Sequence, residues 1–274
     1  MVGAPVNSFP PSAQAFPVTL QRNAFGPRLV ARAGDVWRGM QDVVVDHSIS
    51  VGWTPERFVQ TGTMFIVRSM TVRHLRDVRF GESLVGRTWP TRARRDMLFT
   101  REVRLFSGDE LVIIATQEWA YLSRALEPIR AGKDIYDAFP LHAGFPSVTL
   151  PDFERVDGAP VHHFGFTTWH LWMDPNDHVN HPAYVDYCDE GTHRVLAARH
   201  VDPQRMVPVA EEVHFRAAIS AEDEVVVETT YKGAAGDAAV LGHRILVKDK
   251  VAATATTVRR LADEAGTTWH AALK

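Results

Sequence analysis

Apolar positions in this chain alternate between a helical and a strand period, and the alternation runs through twice. In "DVWRGMQDVVVDHSISVG" (35–52), Val36, Met40, Val43, Val44 and His47 recur at helical spacing. Asp35 is placed to cap that helix and Gly52 to end it. A strand, "FPVTLQRNAF", precedes it. Four β-branched and aromatic runs follow: "TMFIVRSMTVRHL", "ESLVGRTWPTRA", "DMLFTREVRLF" and "ELVIIATQEWAYLS". Turn chemistry at Phe80-Gly81-Glu82 and Ser107-Gly108-Asp109 separates them, which predicts an antiparallel meander.

The second half repeats the order. "HHFGFTTWHLWM" (162–173) reads as a strand, 182–199 as a helix, and "VAEEVHFRAAI", "EVVVETTYKG", "VLGHRILVK" and "AATATTVRRL" as further strands. At an offset of 140 residues, "HLRDVRFGE" overlies "HFRAAISAE" with His, Arg and Glu in register, which points to an internal duplication. The predicted class is α+β, with a long helix covering the apolar face of a curled antiparallel sheet in each half. Residues 1–16 read as a flexible tail, 17–140 as the first domain, 141–160 as a proline-rich linker and 161–274 as the second domain. Two such sheets can pair at their edges, which removes exposed strand edges.

Composition narrows the function. With 45% hydrophobic and 23% charged residues the 274-residue chain can bury a core. A net charge of -3 with dispersed Lys and Arg argues against nucleic acid. The absence of a long apolar run or a secretory leader argues against a membrane and places the protein in the cytoplasm. The single cysteine, Cys188, agrees with that compartment, and its place on the apolar stripe Tyr184, Tyr187, Cys188, Gly191, Val195, Ala198 favours a core role.

The densest chemistry is in "WMDPNDHVNHPAYVDYC" (172–188). Asp174, Asn176, His178 and Asn180 fall at every second position, so an extended segment would present all four on one face. Pro175 disfavours helix at Asp174, and Pro182 suits the first turn of the helix that follows. Acyl hydrolysis needs a base for water, donors for the carbonyl oxygen and groups that orient both. Asp174 fits as base or nucleophile, backbone N–H groups between His178 and Tyr184 as carbonyl donors, and Asn176 and His181 as orienting groups. A thiol, with a pKa near about 8.5, is a good leaving group, so a thioester needs little more. Three metal ligands could be drawn from Asp174, His178 and His181, with His162, His163 and His170 nearby. However, the loop placement and the lack of a cysteine pair or His-Glu-xx-His weigh against a metal, and no cofactor is expected.

"DPNDHVNHPAYVDY" resembles the D-x-N-x-H-V-N-N motif of acyl-ACP thioesterases and the D-x-x-G-H-V-N-N segment of hotdog-fold thioesterases, matching at Asp174, Asn176, His178, Val179 and Asn180. The first half, with "MQDVVVDHSISVG" and "RFGESLVGRTW", is similar to the N-terminal hotdog of the same enzymes. The resemblance implies two tandem hotdog domains, each a long central helix wrapped by a curved antiparallel sheet, with the catalytic motif in the second and the acyl pocket shaped by the first. It implies catalytic roles for Asp174, Asn176, His178 and His181, and substrate contacts from Asn180, Val179 and Tyr184. It also implies an acyl-ACP or acyl-CoA substrate, and a monomeric pseudo-dimer or a homodimer. His181 departs from the motif's second Asn, which brings acyl-CoA forward as a carrier. Ala217, Ala218 and Ile219 stand where the plant enzymes carry a cysteine, so a thiol mechanism is not expected, and Asp35, with no His-Val-Asn after it, marks a degenerate counterpart site.

Glu211, Glu212, Glu222, Asp223 and Glu224 read as a solvated edge or turn. Arg92, Arg94 and Arg95 could dock an acidic carrier protein. Two other functions stay open on these residues: a hydratase or dehydratase of enoyl thioesters, whose motif would want a histidine where Val179 stands, and a non-catalytic acyl-thioester-binding protein.

Overall fold

A computed structural model describes residues 8–262, 266 and 268–274. The start of the expected tail, residues 1–7, lies outside the described residues. The chain forms two compact units. One comprises the segment up to Leu20, Arg38–Leu75 and Gly81–Thr149; the other comprises Gln21–Trp37, Arg76–Phe80 and Leu150–Lys274.

The first unit holds β1 (Ala15–Val18), most of α1 (Ala33–Ser50), α2 (Pro55–Thr61), β2 (Thr63–His74), β3 (Leu84–Arg94), β4 (Leu98–Ser107), β5 (Glu110–Ser123) and α3 (Lys133–Ala138). Its strands lie in the order β1-β3-β4-β5-β2. Asp35 sits inside the first turn of α1 rather than capping it. The predicted stop is present: Gly52, at φ 78°, closes the helix with Trp53 N–H on Ser48 O at 2.9 Å. The first strand is only four residues long, and Arg22–Ala24 is a 3-10 turn instead of its continuation. Gly86 lets α1 approach β3, since a Cβ there would fall 2.3 Å from Val43 Cγ2. Register shifts at Val67/Ser69, Pro90/Arg92 and Leu105/Phe106 bend the strands around the helix.

The second unit holds β6 (Glu154–Arg155), β7 (Val161–Thr167), α4 (Ala183–Ala198), β8 (Met206–Phe215), β9 (Glu224–Ala235), β10 (Ala238–Val247) and β11 (Lys250–Leu261). Its order is β9-β10-β11-β8, with β6 and β7 both pairing β9. Strand for strand this repeats the first unit, and β9, β10 and β11 begin at the same 140-residue offset from β3, β4 and β5. The duplication seen in the sequence is therefore a duplication of structure. Here the glycine that admits the helix lies on α4: a Cβ on Gly191 would be 3.0 Å from Thr229 Oγ1.

The segment read as a linker is packed rather than loose. In the first unit, Phe145 meets the Trp89 ring at 5.0 Å, and Val148 N–H bonds Thr116 Oγ1 at 2.7 Å. In the second, Leu150 and Phe153 pack on Ala210, Ala238, Val240 and Val258.

One charge assignment is overturned. Glu211 is fully buried, not on a solvated edge. Its carboxylate accepts from Arg259 Nη1 at 2.5 Å and Trp37 Nε1 at 3.2 Å, while Arg259 Nε bonds Asp189 of α4 at 2.8 Å. The two carboxylates hold the buried guanidinium charged, and Asp189 ties the helix to the sheet.

Candidate active site

The strand predicted over 162–173 ends at Thr167, and His170–Trp172 form a 3-10 turn. The Trp172 ring is bracketed by Phe166 at 5.8 Å and Tyr187 at 5.2 Å, and Trp169 stacks on it at 4.8 Å. Trp169 and Leu171 stay exposed, at 62% and 91%. Sequence periodicity did not reveal this aromatic wall beside the polar loop, because its members come from a strand, a turn and a helix.

The loop itself is not extended, so the expected single polar face does not exist. Met173 and Val179 form an isolated antiparallel bridge, and between them Asp174 O accepts from Asp177 N–H at 3.0 Å. Pro175 occupies the second position of this turn, and Asp177 takes φ 61°, a conformation that an aspartate tolerates better than most residues. The chain reverses, and Asp174 N–H bonds His178 O at 2.8 Å.

That reversal assembles three of the expected residues. Asp174 Oδ1 accepts the Asn176 backbone N–H at 2.7 Å and lies 3.4 Å from His178 Nδ1. Asn176 Nδ2 is 3.4 Å from Asp174 Oδ2. The Asp174 side chain keeps 12% of its surface exposed and His178 21%, so the pair is sheltered yet reachable.

His181 is directed elsewhere. Its ring packs 6.2 Å from Trp37 and 6.0 Å edge-on to Phe215. Val179 and Tyr184, expected at the substrate, are each 3% exposed and act as anchors. Val179 N–H bonds Ile219 O at 2.8 Å. Burial, with Asp174 and Asp223 nearby, pushes the pKa of the Tyr184 hydroxyl up. Asn180 is half-buried; its N–H bonds Trp172 O at 2.9 Å, and its side-chain oxygen is buried with no hydrogen-bond partner among the described residues.

The backbone donors expected for a carbonyl are mostly committed. The N–H groups of Val179, Asn180, Ala183 and Tyr184 bond the carbonyls of Ile219, Trp172, Asn180 and His181 at 2.8 to 3.3 Å. The His178 N–H has no such acceptor among the described residues.

The turn after β8 supports the loop from below and was not singled out by any motif. Thr168 Oγ1 donates to Ser220 O at 2.6 Å, and Asp223 Oδ2 accepts the Ser220 N–H at 2.9 Å. Cys188 is fully buried, and burial raises its thiol pKa well above the ordinary value, so it is no nucleophile. Among the described residues no three His, Cys, Asp or Glu side chains cluster as metal ligands, and no helix is long and apolar enough to cross a membrane.

Two family models match the chain: a thioesterase-like superfamily over residues 168–267 and a thioesterase superfamily over 34–114, one in each half. The chain belongs to the thioesterase superfamily. The thioesterase carries its loop and α4 within the first of these matches and α1 at the start of the second. An oleoyl thioesterase from Lactobacillus plantarum superposes with a TM-score of 0.77 at 16% identity, covering 95% of this chain and 100% of that one. The 12:0-ACP thioesterase from Umbellularia californica gives 0.74 at 16%, covering 93% and 99%. An acyl-ACP thioesterase from Bacteroides thetaiotaomicron gives 0.72 at 12%, covering 90% and 97%. At such identities the likeness establishes the fold, a double hotdog spanning nearly the whole chain. No curated protein sequence matches the chain significantly. With thioesterase models in both halves, the chain is a thioester hydrolase, and the hydratase and binding-protein readings are not favoured.

Proposed function

We propose that the thioesterase hydrolyses fatty acyl thioesters through Asp174. The observation that carries this is the Asp174 carboxylate, fixed by the Asn176 N–H at 2.7 Å and by His178 at 3.4 Å, next to an aromatic wall. Asp174 takes a proton from water as the water oxygen bonds to the acyl carbon. The carbonyl electrons move onto oxygen, and the His178 N–H, which has no backbone acceptor among the described residues, serves as their donor. On collapse the C–S bond breaks, and the thiolate takes the proton back from Asp174 to leave as thiol. Asn176 and His178 orient the carboxylate, and the buried oxygen of Asn180 offers an acceptor to the substrate. The rings of Phe166, Trp172 and Tyr187 supply apolar surface for an acyl chain.

The names of the structural relatives support a fatty acyl group, and two of them name an acyl carrier protein. Acyl carrier protein and coenzyme A are both candidate carriers. Arg92 and Arg94 are exposed, with Arg94 sharing Glu118 at 3.6 Å, and Arg95 lies in the adjoining turn, so they are available to an acidic carrier.

The test is thiol release from acyl-ACP and acyl-CoA panels by wild type and Asp174→Asn. An amide oxygen still accepts the Asn176 N–H, so the turn is kept and only the base is lost. A fall in kcat of about a hundredfold or more is expected. An unchanged kcat refutes the role of Asp174, and no turnover on any thioester refutes the activity. Charge reversal at Arg92, Arg94 and Arg95 should weaken turnover of acyl-ACP but not of acyl-CoA; equal loss on both removes the docking role.

A further inference from the structure

Among the described residues, Arg101, Arg104 and Arg259 are all more than nine-tenths buried. Two have carboxylates. Arg104 meets Glu102 at 2.8 Å, and Arg259 meets Asp189 and Glu211. Arg101 has neither. Its Nη1 lies 3.0 Å from His47 Nδ1 and 3.3 Å from Thr88 Oγ1, and its other N–H groups have no protein acceptor among the described residues.

The absence of a counter-charge is built into the strand. Alternation on β4 turns Arg101 toward α1 and its neighbour Glu102 to the opposite face, where Glu102 serves Arg104. Across the ladder from Arg101 stands Gln117, whose amide is engaged with Trp119 Nε1 at 2.9 Å and Met70 Sδ at 3.3 Å. His47 adds no charge, because burial and the neighbouring guanidinium lower its pKa to about 3. Arg101 itself remains charged at neutral pH, burial lowering it only to about 10. A buried cation without an anion is costly, and a bound anion is the simplest compensation.

The surroundings say what kind of anion. The Phe139 ring lies 5.4 Å from the guanidinium carbon and 5.7 Å from the His47 ring, whose other side meets Phe16 at 6.2 Å. Phe139 continues into an apolar cluster with Trp53, Phe99, Tyr121 and Ile135. A ligand that satisfies both features has a planar anionic head for the guanidinium fork and a hydrocarbon tail for the rings.

We propose that Arg101, oriented by Thr88 and His47, is a carboxylate site inside the first hotdog unit that binds a free fatty acid. This goes beyond hydrolysis at Asp174 and rests on that reading only for the choice of a fatty chain as tail. It gives the enzyme a place to hold the acid that its own reaction class releases.

The test is calorimetric titration with dodecanoate and dodecan-1-ol, which share a tail and differ in the head. Wild type should bind one equivalent of the acid roughly tenfold or more tighter than the alcohol, the scale of a charged hydrogen bond. Arg101→Met should bring the acid down to the level of the alcohol, Arg101→Lys should keep part of the preference, and Asp174→Asn should keep it whole. Thr88→Val, which removes the contact that orients Arg101 together with the Thr88 Oγ1 bond to Glu102 O and leaves the guanidinium in place, should weaken the acid severalfold and serves if Arg101→Met does not fold. Equal affinity for acid and alcohol in wild type, or a preference that survives Arg101→Met or vanishes in Asp174→Asn, overturns the proposal. Thiol release is read separately: turnover without acid preference sinks this site alone, and acid preference without turnover sinks the hydrolytic reading alone.

Discussion

The buried cluster of Glu211, Arg259, Asp189 and Trp37 gives a sharp energetic test. Glu211→Leu removes the carboxylate that meets Arg259 at 2.5 Å and leaves the Trp37 Nε1 donor without its acceptor. Breaking a buried pair from one side costs about 3 to 5 kcal/mol. Asp189 remains on Arg259 Nε at 2.8 Å and is 17% exposed, so part of the charge stays compensated and the low end, about 3 kcal/mol, is expected. Against a typical total of about 5 to 15 kcal/mol that is a large share. It should move the urea midpoint by about 1 M or more. Arg259→Met alone should cost a similar amount by stranding Glu211. In the double variant no charge is stranded at the centre, and Asp189 can turn to water. The double should therefore lie at least about 2 kcal/mol above the sum of the singles. Urea unfolding followed by tryptophan fluorescence measures all four proteins. Singles that cost under about 1 kcal/mol, or a double equal to their sum, would show that the cluster is not held as a charge pair.

Two further outcomes follow from buried contacts. His47 and His243 both have folded-state pKa values near 3 against 6.5 for the free side chain, the latter wedged between Thr229 and Thr257 at 3.0 and 2.9 Å. Between those values the unfolded chain binds the extra protons, so stability is full above pH 6.5 and falls as pH drops, by up to about 1.4 kcal/mol per pH unit for each histidine. His243→Gln should flatten that slope by one proton in unfolding measured from pH 7 to 5, and an unchanged slope would refute the assignment. Gly191→Ala gains about 1 kcal/mol of helix propensity but sets a methyl 3.0 Å from Thr229 Oγ1, which the His243 bond keeps from turning away. With overpacking worth about 1 to 3 kcal/mol, a net loss near 1 kcal/mol is expected in thermal unfolding, and a stabilised variant would refute the tight approach of α4.

Much of the fold was legible in the chain itself. Apolar periodicity is local, and it located α1, α4 and the eight long strands that complete the two meanders. The repeat was legible because three successive strands, β9, β10 and β11, keep one offset of 140 residues from β3, β4 and β5. Motif spacing located the Asp174 loop, because the residue types that a turn and a helix start require are written next to one another.

What the sequence could not determine were contacts made across long separations. Pro175 was compatible with extended chain and with the turn, and the Met173–Val179 bridge decided for the turn, bringing Asp174 to Asn176 and His178 and leaving His181 against Trp37. Glu211 looked like a surface acid until strand pairing brought Arg259, 48 residues away, against it. Arg101 was one arginine in a dispersed set, and only the packing of α1 over β4 showed that it is buried with no carboxylate to meet it. A charge's environment is set by the partner that tertiary structure supplies, and neighbours in sequence do not encode it.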